Sequence, residues 1–279
     1  MSRKQTDQKR LGWSLQERDP QLIKSLMPHW QWFYNYYFRV KSDGWQHIPT
    51  QGKALLVGSH NGGLAAPDMP MMMYDWFRCF GTERPVYGLM HPKVPQVYPQ
   101  LAQVAIKAGA ITAHPKMAMA AFAQDASVLV YPGGAQDVFR PHHQRNKINF
   151  AGRQGFIKLA LRAKVPIIPA ISWGAHDTLI VLGNCYEQAR QLHEWGLPWL
   201  FDLDPEVFPI YLGLPWGIGI GPLPNIPLPM PIRTRICPPI VFERYGRTAA
   251  RDRQYVKACY EKVLTQMQGE LDKLIEESE

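Results

Sequence analysis

Cysteine is scarce in this chain. The four thiols, Cys79, Cys185, Cys237 and Cys259, stand far apart, with neither metal-ligand spacing nor a paired pattern. They read as reduced thiols in a cytoplasmic compartment. Charge is thin as well: Asp, Glu, Lys and Arg make up 19% of the sequence, against about 25% in an ordinary soluble domain. No Gly-x-Ser-x-Gly elbow is present, which argues against a serine or cysteine nucleophile and a covalent acyl-enzyme. The opening MSRKQTDQKRLGWS has no apolar core, so no secretory signal is expected there. His142-His143 has no cysteine cluster or partnered carboxylate beside it in sequence, so no metal is expected.

What the chain does have is apolar mass and positive charge. Hydrophobic residues make up 46% of 279 positions, enough for one large α/β domain. Nine Trp, twelve Tyr and eleven Met exceed what a core needs and suggest that some apolar surface serves an interface. A net charge of +8 favours an anionic partner: nucleic acid, anionic lipid or a phosphorylated cosubstrate. Nucleic acid is disfavoured, because the basic residues are dispersed and no recognition helix or base-stacking motif accompanies them.

Along the chain, residues 1–20 are polar and expected to be mobile. Residues 21–39 hold seven aromatics in nineteen positions. They predict one or two helices, with Pro28 bending or ending the first. Their aromatic face either packs on the domain or lies in a membrane interface. Between 45 and 175, short apolar runs alternate with helical patterns. Strands are predicted at 54–57, 85–89, 109–111, 127–131 and 166–171, and helices at 68–80, 96–108, 116–124 and 153–163. That order gives a mainly parallel central sheet flanked by helices in a single domain, 21–279. Residues 176–232 read as irregular. From Val207 to Ile232 there is no charge, but seven prolines and four glycines. A transmembrane helix would leave too many backbone groups unpaired there. A hydrophobic loop that docks on the fold, lines an acyl channel or faces a membrane fits better. Residues 233–243 predict one more strand, and 250–275 an amphipathic closing helix.

The chemistry-bearing residues sit at two strand ends, where ligands bind in open α/β sheets. In VGSHNGGLAAPD, His60 follows the first buried run, and Asp68 follows at a helix start, near enough to return and orient an imidazole. The glycines after His60 would let a ligand approach the backbone. In VLVYPGGAQDVFR, Gly133 and Gly134 can form a backbone nest for an oxyanion or phosphate, or merely a tight turn. Asp137 and Arg140 follow within two helical turns, and His142, His143, Arg145 and Lys147 extend a basic stretch that is either a solvated loop or a phosphate site. A histidine–carboxylate pair beside such a nest has the parts to deprotonate an alcohol and stabilise an oxyanion.

The order of four blocks resembles the glycerolipid (lysophospholipid) acyltransferase superfamily, in the subgroup of monoacylglycerol and diacylglycerol acyltransferases and plastid phytyl ester synthases. The blocks are WQHIPTQGKALLVGSHNGGLAAPD, KAGAITAHPKMAMAAF, VLVYPGGAQDVFR and GFIKLALRAKVPIIPAISWGAHDTL, and the likeness spans roughly 30–275. The resemblance implies an acyltransferase with His60 as catalytic base, Asp68 as its partner, and Gly133, Gly134, Asp137 and Arg140 binding the oxyanion or substrate. It also implies an acyl-CoA or acyl carrier protein donor without a bound cofactor, a lipid alcohol acceptor, and peripheral attachment to a membrane surface. Two departures stand out. The family spacing His-x4-Asp is here His-x7-Asp, with Asp75 a weaker second candidate. The Pro-Glu-Gly-Thr-Arg of the phosphatidate-making branch is here Pro-Gly-Gly-Ala-Gln, which favours a neutral alcohol unless Arg140 or the residues after it replace the missing arginine. A lipid esterase or thioesterase, and a non-catalytic lipid-binding protein, are the alternatives.

Overall fold

The computed structural model describes residues 11–199 and 204–278. Its frame is a seven-stranded sheet in the order β1-β10-β6-β2-β5-β3-β4. The strands are β1 (Lys41–Asp43), β2 (Leu55–Gly58), β3 (Val86–Met90), β4 (Ala110–Thr112), β5 (Ser127–Val130), β6 (Ile167–Trp173) and β10 (Arg233–Ile236). All neighbours pair in parallel except β10 with β6.

Side chains alternate across the pleat, and two helical layers take up the two faces. Leu55, Val57, Val128, Ile167 and Ile171 pack against α4 (Pro115–Ala123), α6 (Gly155–Ala163) and α8 (Arg253–Glu276), through Phe122, Ile157, Leu161, Val256, Val263 and Met267. Ala54, Leu56, Leu129 and Ile168 pack against Ile23 of α1 (Pro20–Trp32) and Met72, Trp76 and Phe77 of α2 (Asp68–Phe80). α3 (Pro99–Lys107) leads into edge strand β4. The helix ends follow local chemistry. Asp19 and Asp252 accept backbone N–H bonds at the starts of α1 and α8, and Gly81, at φ +78°, terminates α2.

One of the two readings at Pro28 falls away, and three expectations change. Pro28 does not end its helix: α1 runs through it and continues into a π-helical turn, Phe33–Tyr37. Residues 11–19 are not a free arm. Leu15 is buried, Thr112 donates its N–H to the Gly12 carbonyl, and the Tyr87 hydroxyl donates to the Leu15 carbonyl; residues 1–10 lie outside the described part. Nor is 176–232 irregular throughout. β7 (Ile180–Asn184), β8 (Pro209–Gly213) and β9 (Gly217–Ile220) form an antiparallel sheet, with α7 (Tyr186–Glu194) between β7 and β8. Pro and Gly mask the alternation there. Buried Tyr211 fills the space beneath Gly219, where a Cβ would strike its ring, so the inward position reads as a gap in the sequence pattern. The predicted strand at 233–243 shortens to β10 plus a bridge from Ile240 to Ile167. Among the described residues no helix is long and apolar enough to cross a membrane.

Candidate active site

The chain leaves β2 towards α2 and β3 on one side, then returns to place β5 against β2 and sends β6 to the other side. The carboxyl ends of β2 and β5 therefore meet at the point where the winding reverses, the usual crevice of such sheets. Register pairs Val57 with Val130, so the loops carrying His60 and Pro132-Gly133-Gly134 leave side by side. The His60 and Tyr131 rings stack at 4.7 Å. Gly58 must lack a side chain, because a Cβ would enter the Tyr131 ring.

His60 keeps 20% of its side-chain surface exposed, while Asp68 keeps 2%. Nδ1 faces Asp68 Oδ1 at 3.7 Å, close enough for attraction but beyond a hydrogen bond. Among the described residues this buried Nδ1 has no hydrogen-bond partner. The exposed part of the ring thus lies away from Asp68. The carboxylate is itself fixed, accepting from the Met69 N–H at 3.0 Å and from Asn61 Nδ2 at 3.2 Å. The seven-residue spacing is taken up by a short 3-10 turn, Gly63–Ala65, that folds α2 back under the ring. Asp75 lies elsewhere, buried on α2 and bonded to Arg78, with burial raising its carboxyl above the usual range.

Asp137 and Arg140 lie beneath this loop, rather than in the crevice as substrate groups. They are 0% and 2% exposed and pair at 3.0 Å. Asp137 accepts from Ser59 Oγ at 3.0 Å, from Asn149 N–H at 3.2 Å and from the backbone N–H of His60. The guanidinium donates to the carbonyls of His60, Asp137, Gln144 and Arg145 and to the Asn61 side chain. Every nitrogen is engaged, so no donor remains for a ligand phosphate. Burial raises the Asp137 carboxyl and lowers the Arg140 guanidinium, each opposed by the attraction of its partner. His176 joins from below: its Nε2–H donates to the Arg140 carbonyl at 2.8 Å, and burial, with Arg140 nearby, holds its pKa down to about 3.

The glycines at 62 and 63 also serve packing rather than access. Both have positive φ, and their open faces meet Thr178, Leu179 and Asn225. Asn225, from the uncharged stretch, donates to the Gly62 carbonyl and accepts from the Ala65 N–H, both at 3.2 Å. This seats the Pro-rich segment against the histidine loop. In the basic stretch, His142 Nε2 pairs with Asp177 Oδ1 at 2.8 Å and Arg145 shares that carboxylate at 3.5 Å. Two of its four basic residues are thus already matched. Arg153 was not singled out in the sequence; it lies against the glycine turn, bonded to the carbonyls of Pro132 and Gly133 and to Glu206. An arginine two residues before a buried helix, one block away from the glycines, gives no local signal. Among the described residues no cluster of three or more His, Cys, Asp or Glu could hold a metal.

A family model described as diacylglycerol acyltransferase matches residues 18–276, nearly the whole chain. The chain belongs to the diacylglycerol acyltransferase family. Curated relatives of this family member include uncharacterized proteins of Mycobacterium tuberculosis and Mycobacterium bovis, each 28% identical over 238 residues, 84% of this chain and 61% of theirs. One from Mycobacterium leprae is 26% identical over 238 residues, covering 84% of this chain and 60% of that one. The chain thus spans about three fifths of the length of the curated relatives it matches. The crystal structure of the 1-acyl-sn-glycerophosphate (LPA) acyltransferase PlsC from Thermotoga maritima superposes with a TM-score of 0.49 and 13% identity, over 88% of this chain and 79% of that one.

Proposed function

We propose that this member of the diacylglycerol acyltransferase family is an O-acyltransferase that moves a fatty acyl group from a thioester, acyl-CoA or an acyl carrier protein, to the hydroxyl of a lipid alcohol. The observation that carries the reading is the partly exposed His60 ring, with Nδ1 turned to Asp68, beside the Gly133–Gly134 turn. His60 Nε2 takes the alcohol proton as the oxygen attacks the thioester carbonyl. Negative charge gathers on the carbonyl oxygen, and the glycine N–H groups stabilise it. The tetrahedral species collapses, the C–S bond breaks, and the thiolate leaves with the proton that His60 had taken. Asp68 stabilises the imidazolium in between. A neutral acceptor fits best, because Arg140 is fully engaged.

The test follows release of thiol and formation of ester from palmitoyl-CoA, with and without dioleoylglycerol in mixed micelles. Transfer requires ester formation that rises with the alcohol; thiol release indifferent to it would indicate a hydrolase. His60→Ala should lower the rate by about 10²–10⁴-fold while leaving the fold intact. Near-normal turnover in that variant would refute the base.

We also propose a peripheral membrane contact on the outer face of the small sheet. Paired positions share a face, so Ile180, Leu212 and Ile218 point outward together with Ile210 and Ile220. Ile218 is 68% exposed and Ile220 55%. The same chain segment is bonded through Asn225 to the histidine loop. Ile218→Lys with Ile220→Lys should weaken flotation with liposomes of mixed zwitterionic and anionic lipid at least tenfold; undiminished flotation would exclude this face.

A further inference from the structure

The glycine turn is held from one side by a single side chain. Arg153 Nη1 donates to the Pro132 carbonyl at 3.2 Å and to the Gly133 carbonyl at 2.6 Å. In a trans peptide the N–H points opposite to the C=O of the same unit. The units that present the Pro132 and Gly133 carbonyls to Arg153 therefore aim the N–H groups of Gly133 and Gly134 to the opposite side. Among the described residues neither amide has a protein acceptor. Arg153 is held in turn by Glu206, at 2.8 Å from Nη2, and the His91 ring lies 4.0 Å from the same carboxylate. Gly134 adopts φ +55°, and a Cβ there would stand 2.6 Å from Arg153 Nη1. The glycine thus makes room for the guanidinium, and the guanidinium fixes the glycine.

We infer that Arg153 is the positioning residue of the oxyanion cradle: it orients and polarises the two peptide units whose N–H groups receive the charge on the thioester oxygen. A cation on the carbonyl side draws electron density through each peptide unit and strengthens the opposite N–H as a donor. The residue touches no reacting atom, and the inference rests on the proposed acyl transfer. Because the charge exists only in the transition state, Arg153 acts on turnover and not on ground-state binding.

The experiment compares Arg153→Met, Arg153→Lys and Gly134→Ala with the parent, using palmitoyl-CoA and dioleoylglycerol in mixed micelles, with thermal unfolding measured on each. Arg153→Met should lower kcat about a hundredfold, as loss of an oxyanion donor does. KM for both substrates should change less than threefold, and the acid limb of the pH profile should stay in place. Arg153→Lys keeps the charge but not the geometry and should recover part of kcat; Gly134→Ala should reproduce the kcat loss by displacing the guanidinium. A raised KM for palmitoyl-CoA at unchanged kcat would overturn the inference and make Arg153 a donor-binding cation. Unchanged kcat would overturn it too. Should Arg153→Met not fold, Arg153→Lys decides alone: lowered kcat at constant KM supports the role, and unchanged kcat ends it. His60→Ala separates the two levels. If that variant is inactive while Arg153→Met is normal, only this inference fails; if it keeps near-normal ester formation, the base assignment fails, and if the parent releases thiol without making ester, the acyl-transfer reading itself fails.

Discussion

Among the described residues two histidine–aspartate pairs lie within one fold, and by distance alone the pair proposed to be catalytic ranks second. His142 and Asp177 meet at 2.8 Å; His60 and Asp68 stand 3.7 Å apart. The short pair is only partly buried, at 33% and 22% exposed, and shares its carboxylate with Arg145. The long pair has an almost wholly buried carboxylate, a ring stacked on Tyr131 and a backbone bonded to a buried ion pair. A partly exposed pair spends more of its attraction against water and salt than a desolvated carboxylate, which acts on a nearby ring with little screening. Position in the sheet and support from below, rather than contact distance, favour His60 and Asp68 as the proposed reactive pair.

The sharpest way to break this comparison is to remove the support. Asp137→Ala leaves the Arg140 charge buried without its partner and should cost about 3–5 kcal/mol, measured as the shift in denaturant midpoint. A loss below about 1 kcal/mol would show that the loop does not depend on this pair. The next effect is on rate. Asp68→Asn removes the charge that meets the imidazolium and should lower kcat about ten- to hundredfold in the transfer assay; an unchanged rate would mean that some other group orients His60. Stability should also depend on acid. His176 is held at about 3, against an ordinary 6.5. Between those values the unfolded chain binds a proton that the folded chain refuses. The contribution of His176 is therefore complete above pH 6.5 and lost as pH falls towards 3, by up to about 1.4 kcal/mol per unit. His176→Gln should flatten that slope in denaturation series at pH 7, 6 and 5; parallel slopes would refute the assignment. The smallest effect belongs to the second pair. Asp177→Asn should change transfer less than twofold and stability by less than about 1 kcal/mol.

The sheet was readable because its strands are buried on both faces: Leu55–Val57 and Ser127–Val130 are plain apolar runs between glycine and polar turns. Predicted helix 68–80 coincides with α2, where Asp68 sits in the first turn and Gly81 ends the last. The small sheet was not readable, because in β8 and β9 Pro209, Tyr211 and Gly219 take the inward positions while Ile210, Leu212, Ile218 and Ile220 take the outward ones, so the usual alternation is inverted and broken by Pro and Gly. At the site, the histidine and the glycine turn stood at legible strand ends. The depth of Asp137 and Arg140 was not legible, since a carboxylate and an arginine three residues apart look the same on an exposed turn as under a loop. Arg153 carries no signal in the sequence for a topological reason: only the fold brings residue 153 beneath residues 132–134.

The saturation of Arg140 constrains how this scaffold can diversify. An arginine bonded to four main-chain carbonyls and an asparagine cannot be recruited to a new headgroup without unpicking the loop that carries His60. Changes in acceptor preference among descendants of this sequence should therefore accumulate on the far wall of the crevice, while the arginine and its aspartate are inherited together.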